Sequence, residues 1–329
     1  MKEFIIGKND AGQRLDKFIT KAIKEIPQSL MYKSIRTKKI KINRKRAEVS
    51  QILNEGDTVQ VFLSDDLFAD TGKKAVGRSD VKVVYEDDNI ILCDKEPGLC
   101  SQPDDEGGED DCLINRIISY LIIKGEFDPQ KENSFIPALC NRIDRNTGGL
   151  VIAAKNAEAL RIMNSKIKNR EIEKKYLCVV HGKFGKEKSG KLVGYMKKNE
   201  KENSVNVYDK RFSDDMKTMI SYYKVLREII VDGNDYSLLE VRLETGRTHQ
   251  IRAQMAHCGH PLLGDGKYGI NKDDRKMGFR FQALYSYKLK FDFSSDSGIL
   301  GYLDKKIIEI PPEKINFVKK LFNDMRIDN

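Results

Sequence analysis

The stretch Asn141-Arg142-Ile143-Asp144-Arg145-Asn146-Thr147-Gly148-Gly149 sets one carboxylate, Asp144, between two arginines, and a Thr-Gly-Gly turn then leads into the apolar run 150–154. A carboxylate can form a covalent intermediate at a glycosidic carbon or remove a nearby proton. Two consecutive glycines let a backbone turn sharply and approach a ligand with no Cβ in the way. The apolar run is short, β-rich and bounded by Lys155-Asn156, so it reads as a buried strand. Asp144 is then expected on a loop anchored by a rigid strand, where sheets display functional groups. Spacing alone leaves two readings standing: a catalytic carboxylate, or an Asp–Arg pair that ties a loop down.

The elements that must hold this loop read as a sheet-rich scaffold. Residues 81–85 and 89–94 flank an acidic turn, and Glu96-Pro97-Gly98 breaks the sheet. After Asn156, a plausible N-cap, residues 157–168 put Leu160, Met163 and Ile167 on one helical face. Residues 176–180 and 238–243 return to strand patterning. There is no βαβ rhythm, no phosphate-binding Gly-rich loop and no internal repeat, so the expected class is α+β with a mainly antiparallel sheet.

At 329 residues the chain has ample material for one large domain and a small one. It carries 59 Lys+Arg against 50 Asp+Glu, a formal net charge of +9, and residues 1–64 hold +7 of that excess. Such asymmetry points to a basic nucleic-acid-binding module beside a nearly neutral enzyme. The polar, glycine-containing run 65–80 reads as a linker, dividing a module at 1–64 from a domain at 81–329. Within the module, Leu15, Phe18 and Ile19 share a helical face with Ala22, Ile23 and Ile26. Pro27 precedes a second short helix, and residues 40–43 and 58–62 read as strands. Lys33, Arg36, Lys38, Lys39, Lys41, Arg44, Lys45 and Arg46 follow one another with no acidic residue between. A charge run of this kind is often only a solvated face. Here it spans a helix end, a turn and a hairpin, which allows the charges to converge on RNA phosphates. The scarcity of aromatics favours backbone or shape recognition over stacking on single strands. Six scattered cysteines without a C-x-x-C pair read as reduced residues of a cytoplasmic protein. The N-terminal apolar stretch is too short for a signal peptide, and no segment approaches the roughly 18 apolar residues of a membrane span.

The Asn141–Gly149 segment resembles the "H-R-L-D-R-x-T-S-G-L" signature of the RluA-type (RluC/RluD-like) pseudouridine synthases, RNA enzymes whose nucleophile is that aspartate. Glu173-Lys174-Lys175-Tyr176-Leu177 is similar to the family's tyrosine motif, and Leu243-Glu244-Thr245-Gly246-Arg247-Thr248-His249-Gln250-Ile251-Arg252 to its arginine motif. Gly264-Asp265-Gly266-Lys267-Tyr268-Gly269, Gln282-Ala283-Leu284 and the loop with Lys95, Pro97 and Gly98 match further segments, in order, over about residues 81–293. Asn141, Ile143, Gly148 and Gln102 stand where the family usually has His, Leu, Ser and His. Residues 1–64 are similar to the alpha-L RNA-binding module of ribosomal proteins, some synthetases and many pseudouridine synthases.

The resemblance implies a pseudouridine synthase fold and isomerisation of specific uridines, in large-subunit (23S) ribosomal RNA. Transfer RNA as substrate, or a catalytically silent RNA-binding protein, are the alternatives. It implies Asp144 as nucleophile, Arg247 as the cation that reaches Asp144, Tyr176 as the ring that stacks on the extruded uracil, and Arg142 as the residue filling the gap left by the flipped nucleotide. Arg145 and Thr147 would shape the loop. Nothing is oxidised or added in the reaction, so no cofactor or metal is expected. The partner is RNA, either 23S ribosomal RNA or a ribosome assembly intermediate, with no membrane and a monomer as the default. His249, His257, Cys258 and His260 lack the usual zinc spacings, and Gly259 and Pro261 mark a helix stop. The D-x-D motif of aspartyl phosphatases is absent, because residue 146 is Asn.

Overall fold

A computed structural model describes residues 1–68, 77–103, 111–199, 202, 204–269 and 272–323. The first 68 residues gather around their own core. Strands β1 (Lys2–Ile5), β2 (Ile40–Ile42), β3 (Lys45–Arg46) and β4 (Thr58–Val61) form a sheet of order β1-β4-β2-β3. Helices α1 (Leu15–Ala22) and α2 (Gln28–Arg36) close its apolar face through Leu15, Phe18, Ile19, Met31 and Ile35. Asn43 and Arg44 turn the β2–β3 hairpin with positive φ, the conformation asparagine tolerates best outside glycine. Of the expected linker, residues 65–68 form a single 3-10 turn and 77–80 have no regular secondary structure, while 69–76 lie outside the described residues.

The 7–13 turn of this unit meets the larger one. Buried Asp10 accepts hydrogen bonds from Asn133 Nδ2 (2.8 Å) and Ser134 Oγ. Asn9 Oδ1 accepts from the Ala157 amide (3.1 Å) at the start of the helix α4 described below.

The larger unit is built on β5 (Val83–Glu86), β6 (Ile90–Lys95), α3 (Leu113–Lys124), β7 (Ala138–Leu139), β8 (Gly148–Ala154), α4 (Ala157–Lys168), β9 (Ile172–His181), β10 (Ser189–Asn199), β11 (Ser204–Tyr208), β12 (Lys217–Val231), β13 (Asn234–Leu243), α5 (Gln250–His257), α6 (Lys272–Lys276), β14 (Leu284–Phe291), β15 (Ile307–Glu309) and α7 (Asn316–Leu321). Its main sheet runs β11-β10-β12-β13-β9-β14-β8-β6-β5, with β15 on β14 and β7 on β8. Among the described residues every ladder is antiparallel except β8 with β14, so the α+β class with a mainly antiparallel sheet holds. Strand β8 and residues 176–180 of β9 are buried on both faces, which is why they read as continuous apolar runs. One face packs Leu150, Ile152, Leu177 and Val179 against α4 and α7. The other packs Val151, Cys178 and Val180 against α3 and α5.

Helix α4 begins as its sequence dictates, with the Asn156 side chain accepting from the Ala159 amide (2.8 Å). Helix α3, in contrast, was not legible, since an Ile/Leu-rich run fits a buried strand as well. Four of the six cysteines are buried and none is in a disulfide, whereas Cys258 is exposed, because it follows the last residue of α5. No helix among the described residues is long and apolar enough to cross a membrane.

Candidate active site

Asp144 sits on the loop between β7 and β8, at the floor of a cleft of about 1090 Å³. Three constraints shape that loop. The Lys95 ammonium, almost fully buried, donates to the carbonyls of Glu96 (3.0 Å), Leu99 (2.7 Å) and Arg145 (2.8 Å), tying the residue after Asp144 to the Pro97-Gly98 turn. The Thr147 amide closes back on the Asp144 carbonyl (3.0 Å), and buried Thr147 Oγ1 accepts from Gln282 Nε2 (3.1 Å). The glycines do something other than the sequence suggested. A Cβ at Gly148 would strike the Tyr285 ring, and one at Gly149 (φ 112°) would strike the Ser286 backbone. They permit the close approach of β8 to β14 rather than to a ligand.

The cation at Asp144 is Arg252. Its Nη1 donates to Asp144 Oδ2 at 3.0 Å, while Nε and Nη2 hold Asp265 at 2.7 and 3.0 Å. Arg247, expected there from the sequence, instead donates from Nε to the Thr218 carbonyl (3.3 Å) and stays exposed. The reason is local. Arg247 precedes α5 in an exposed turn, whereas Arg252 lies inside the helix on its buried side, where its side chain is 8% exposed. Burial pulls against the charge of Arg252, but Asp265 and Asp144 together keep its pKa above the ordinary arginine value. Asp265 is fully buried, yet Arg252 holds it below the usual carboxylate range. A fork held at two tines by a buried carboxylate presents the third in a fixed direction.

His249 initiates α5 in the left-handed region (φ 52°). Its Nδ1 bonds the Tyr268 hydroxyl (2.9 Å) and its Nε2 lies 4.0 Å from Asp144 Oδ2. Burial lowers its pKa, with the Asp144 charge opposing, so a largely neutral imidazole faces the carboxylate at pH 7. His257 bonds Asp209 and His260 bonds the His181 carbonyl, which scatters the three histidines onto separate partners.

Tyr176, on β9, lines the same cleft from a buried position opposite Ser286 of β14. Burial and the nearby Asp144 charge push its phenol up to about 12, with the Ser286 hydroxyl pulling the other way. Ser286 Oγ is itself buried without a well-formed hydrogen bond. Arg142 is exposed at the cleft wall with no ion pair among the described residues, and Arg145 lies alongside.

The sequence motifs therefore converge on one cleft, with the arginine reassigned. A profile for RNA pseudouridylate synthases matches residues 89–257, just over half of the chain. The chain belongs to that family. An uncharacterized RNA pseudouridine synthase of Mycoplasma capricolum subsp. capricolum is 32% identical over 319 residues, 96% of this chain and 99% of that one. The ribosomal large subunit pseudouridine synthase C of Escherichia coli K12 is 27% identical over 302 residues, 88% of each chain. Among solved structures, the human RNA pseudouridylate synthase domain containing 1 covers 79% of this chain and 100% of its own at 18% identity, with a TM-score of 0.53, and shares the fold. This RNA pseudouridine synthase thus has the fold expected from its sequence, and Asp144, Tyr176 and Arg252 are the residues its cleft brings together. Sequence reasoning missed Arg252 and Asp265. Both lay inside quoted motifs, but two arginines five residues apart give no sign of which turns inward until the helix start is fixed.

Proposed function

We propose that this enzyme isomerises uridines of large-subunit ribosomal RNA with Asp144 as the nucleophile on a flipped-out nucleotide. The observation that carries the reading is the Asp144 carboxylate, 28% exposed at the cleft floor and aimed by Arg252. The reaction breaks the bond from ribose to the uracil nitrogen and rejoins the base through carbon, so it needs an ionised carboxylate at the sugar. Arg252 favours that ionised form electrostatically. A base inside a folded RNA is out of reach unless extruded. Tyr176 offers the flat face on which extruded uracil stacks, and its neutral hydroxyl relays the proton lost at the base carbon, accepting it as it passes its own proton on to water. Exposed Arg142 suits the gap left in the RNA. Arg247 lines the cleft and also an adjoining cavity of about 410 Å³ with Lys197 and Lys217, which suits it to the RNA backbone rather than to chemistry.

The ribosomal target is supported by relatives named for the large ribosomal subunit, and by the basic run of the first unit, which we read as an alpha-L-type RNA-docking module acting in the cytoplasm. Lys33, Arg36, Lys38, Lys39, Arg44, Lys45 and Arg46 are exposed, and Lys41 is half-buried over the Phe62 ring. None of the eight has an acidic partner among the described residues.

Tritium release from large-subunit RNA transcribed with [5-³H]uridine tests the reading. Wild type should release tritium, and Asp144→Asn should release none while binding the RNA with similar affinity. Pseudouridine formed by that variant above a trace removes Asp144 from the role, and turnover only on transfer RNA removes the ribosomal target.

A further inference from the structure

Two lysines precede Tyr176 on β9, and their situations differ. Lys175 points to the opposite face, where its Nζ meets Glu240 at 3.1 Å. Lys174 pairs in register with Leu243 and Leu289, two positions from Tyr176, so strand alternation puts the two side chains on the cleft face. Lys174 is half-buried, and its ammonium makes no ion pair or hydrogen bond to any described residue. Its electrostatic neighbour Cys140 is a neutral thiol, pushed by burial to about 12. Burial accordingly pulls the lysine below its ordinary pKa.

An ammonium taken out of water without a counter-charge is unfavourable, and proteins ordinarily pair or expose it. Three other cations lining this cleft are already engaged: Arg252 with Asp144 and Asp265, Arg170 with Glu244, Arg242 with Glu173. Among the described residues, Arg142, Lys168, Arg247 and Lys174 line the cleft with no acidic partner, and of these four only Lys174 is withdrawn from solvent. In a cleft that receives RNA, the missing anion is a phosphate. Two residues of strand separate Lys174 from Tyr176, about 7 Å, a span bridged by the ribose between a base and its own phosphate.

We propose that Lys174 is the cation of a phosphate subsite, binding the phosphate of the nucleotide whose base stacks on Tyr176. The inference rests on the proposed function, and it adds a residue that grips the substrate without touching the reacting bond.

Binding of uridine 5′-monophosphate, uridine 3′-monophosphate and uridine to the full-length protein, followed by NMR on ¹³C-methylated lysines, tests this. Wild type should bind one monophosphate at least tenfold more tightly than uridine. Lys174→Met should erase that preference with uridine affinity unchanged, and Lys174→Arg should keep most of it. The Lys174 resonance, assigned by its loss in Lys174→Arg, should move with the monophosphate and with inorganic phosphate but not with uridine. That measurement stands even if Lys174→Met does not fold. No preference in wild type, an undiminished preference in Lys174→Met, or a Lys174 signal unmoved by either monophosphate overturns the proposal. Because no turnover is involved, an enzyme inactive on ribosomal RNA that still prefers the monophosphate keeps the subsite and loses only the target.

Discussion

Arg252 joins Asp144 to Asp265: one guanidinium nitrogen lies 3.0 Å from the exposed carboxylate, and the other two are spent on the buried one. The geometry makes Asp265 the anchor and Asp144 the beneficiary. Without Asp265, Arg252 would be free to swing toward solvent or collapse bidentately onto Asp144 and block it. The direction in which the Asp144 carboxylate faces is therefore set 121 residues further along the chain, at the Gly264-Asp265 turn.

Replacing Arg252 with Met should lower turnover by roughly 10²–10³, the range seen when a preorganised electrostatic partner is removed. It also strands Asp265 in the core, at about 3–5 kcal/mol, so melting temperature falls too. Asp265→Asn separates the two effects, because it loosens the fork while leaving the cation near Asp144. Its turnover should lie between wild type and Arg252→Met. Arg247→Met, by contrast, should keep the single-turnover rate within a few-fold and weaken RNA binding instead. Single-turnover assays at saturating enzyme check all three, and an Arg247→Met rate as low as that of Arg252→Met would restore Arg247 to the chemistry.

Tyr176→Phe keeps the ring and loses only the hydroxyl. With the phenol held at about 12, the wild-type group stays protonated across the working range, so its loss should not shift the pH profile near neutrality. If the hydroxyl handles the proton at the base carbon, the variant should bind RNA normally and stall after glycosidic cleavage. Tritium release and pseudouridine quantified on the same samples would show it. A near-normal rate leaves Tyr176 as a stacking platform alone.

The parts of the site that sequence made legible are those carried by residue type and spacing. Asp144 beside a Thr-Gly-Gly turn, the Asn156 cap, and the two-sided apolar strand β8 and 176–180 stretch of β9 follow from local chemistry. What escaped depends on orientation. Helix α3 has a strand-like composition, the inward turn of Arg252 depends on where α5 starts, and the two glycines serve a strand contact between positions 137 residues apart. None of these is encoded within one segment; each is decided by what packs against it.

Lys95 supplies a pH-dependent signature. Burial lowers its pKa from 10.5 to about 8, against the attraction of Cys100 and Asp144. Between those values the unfolded chain keeps a proton that the native state has shed, so the contribution of Lys95 to stability rises with pH, by about 1.4 kcal/mol per unit. Below pH 8 both states are protonated, and the buried charge weighs against the fold in full. The difference in unfolding free energy between wild type and Lys95→Met should therefore shift in favour of wild type from pH 8 to 10.5, and stay flat from pH 6 to 8. Parallel denaturation curves over both ranges would rule out the titration of Lys95.

The basic run of the first unit makes the most direct prediction about RNA. Exposed cations without acidic partners release counterions when phosphates replace solvent, and each contact adds roughly 0.7–0.9 to the log-log salt slope. Changing Lys38, Lys39, Arg44 and Lys45 to Gln touches no buried side chain, so the fold and the cleft should be unaffected. Affinity for ribosomal RNA should drop and the slope flatten by up to about 3–4 if all four side chains meet phosphates. The rate of isomerisation at saturating RNA should hold, because these residues stand outside the Asp144 cleft. Filter binding at several salt concentrations gives the slope, and an unchanged value would show that the run is only a solvated face, leaving recognition of the RNA to the cleft itself.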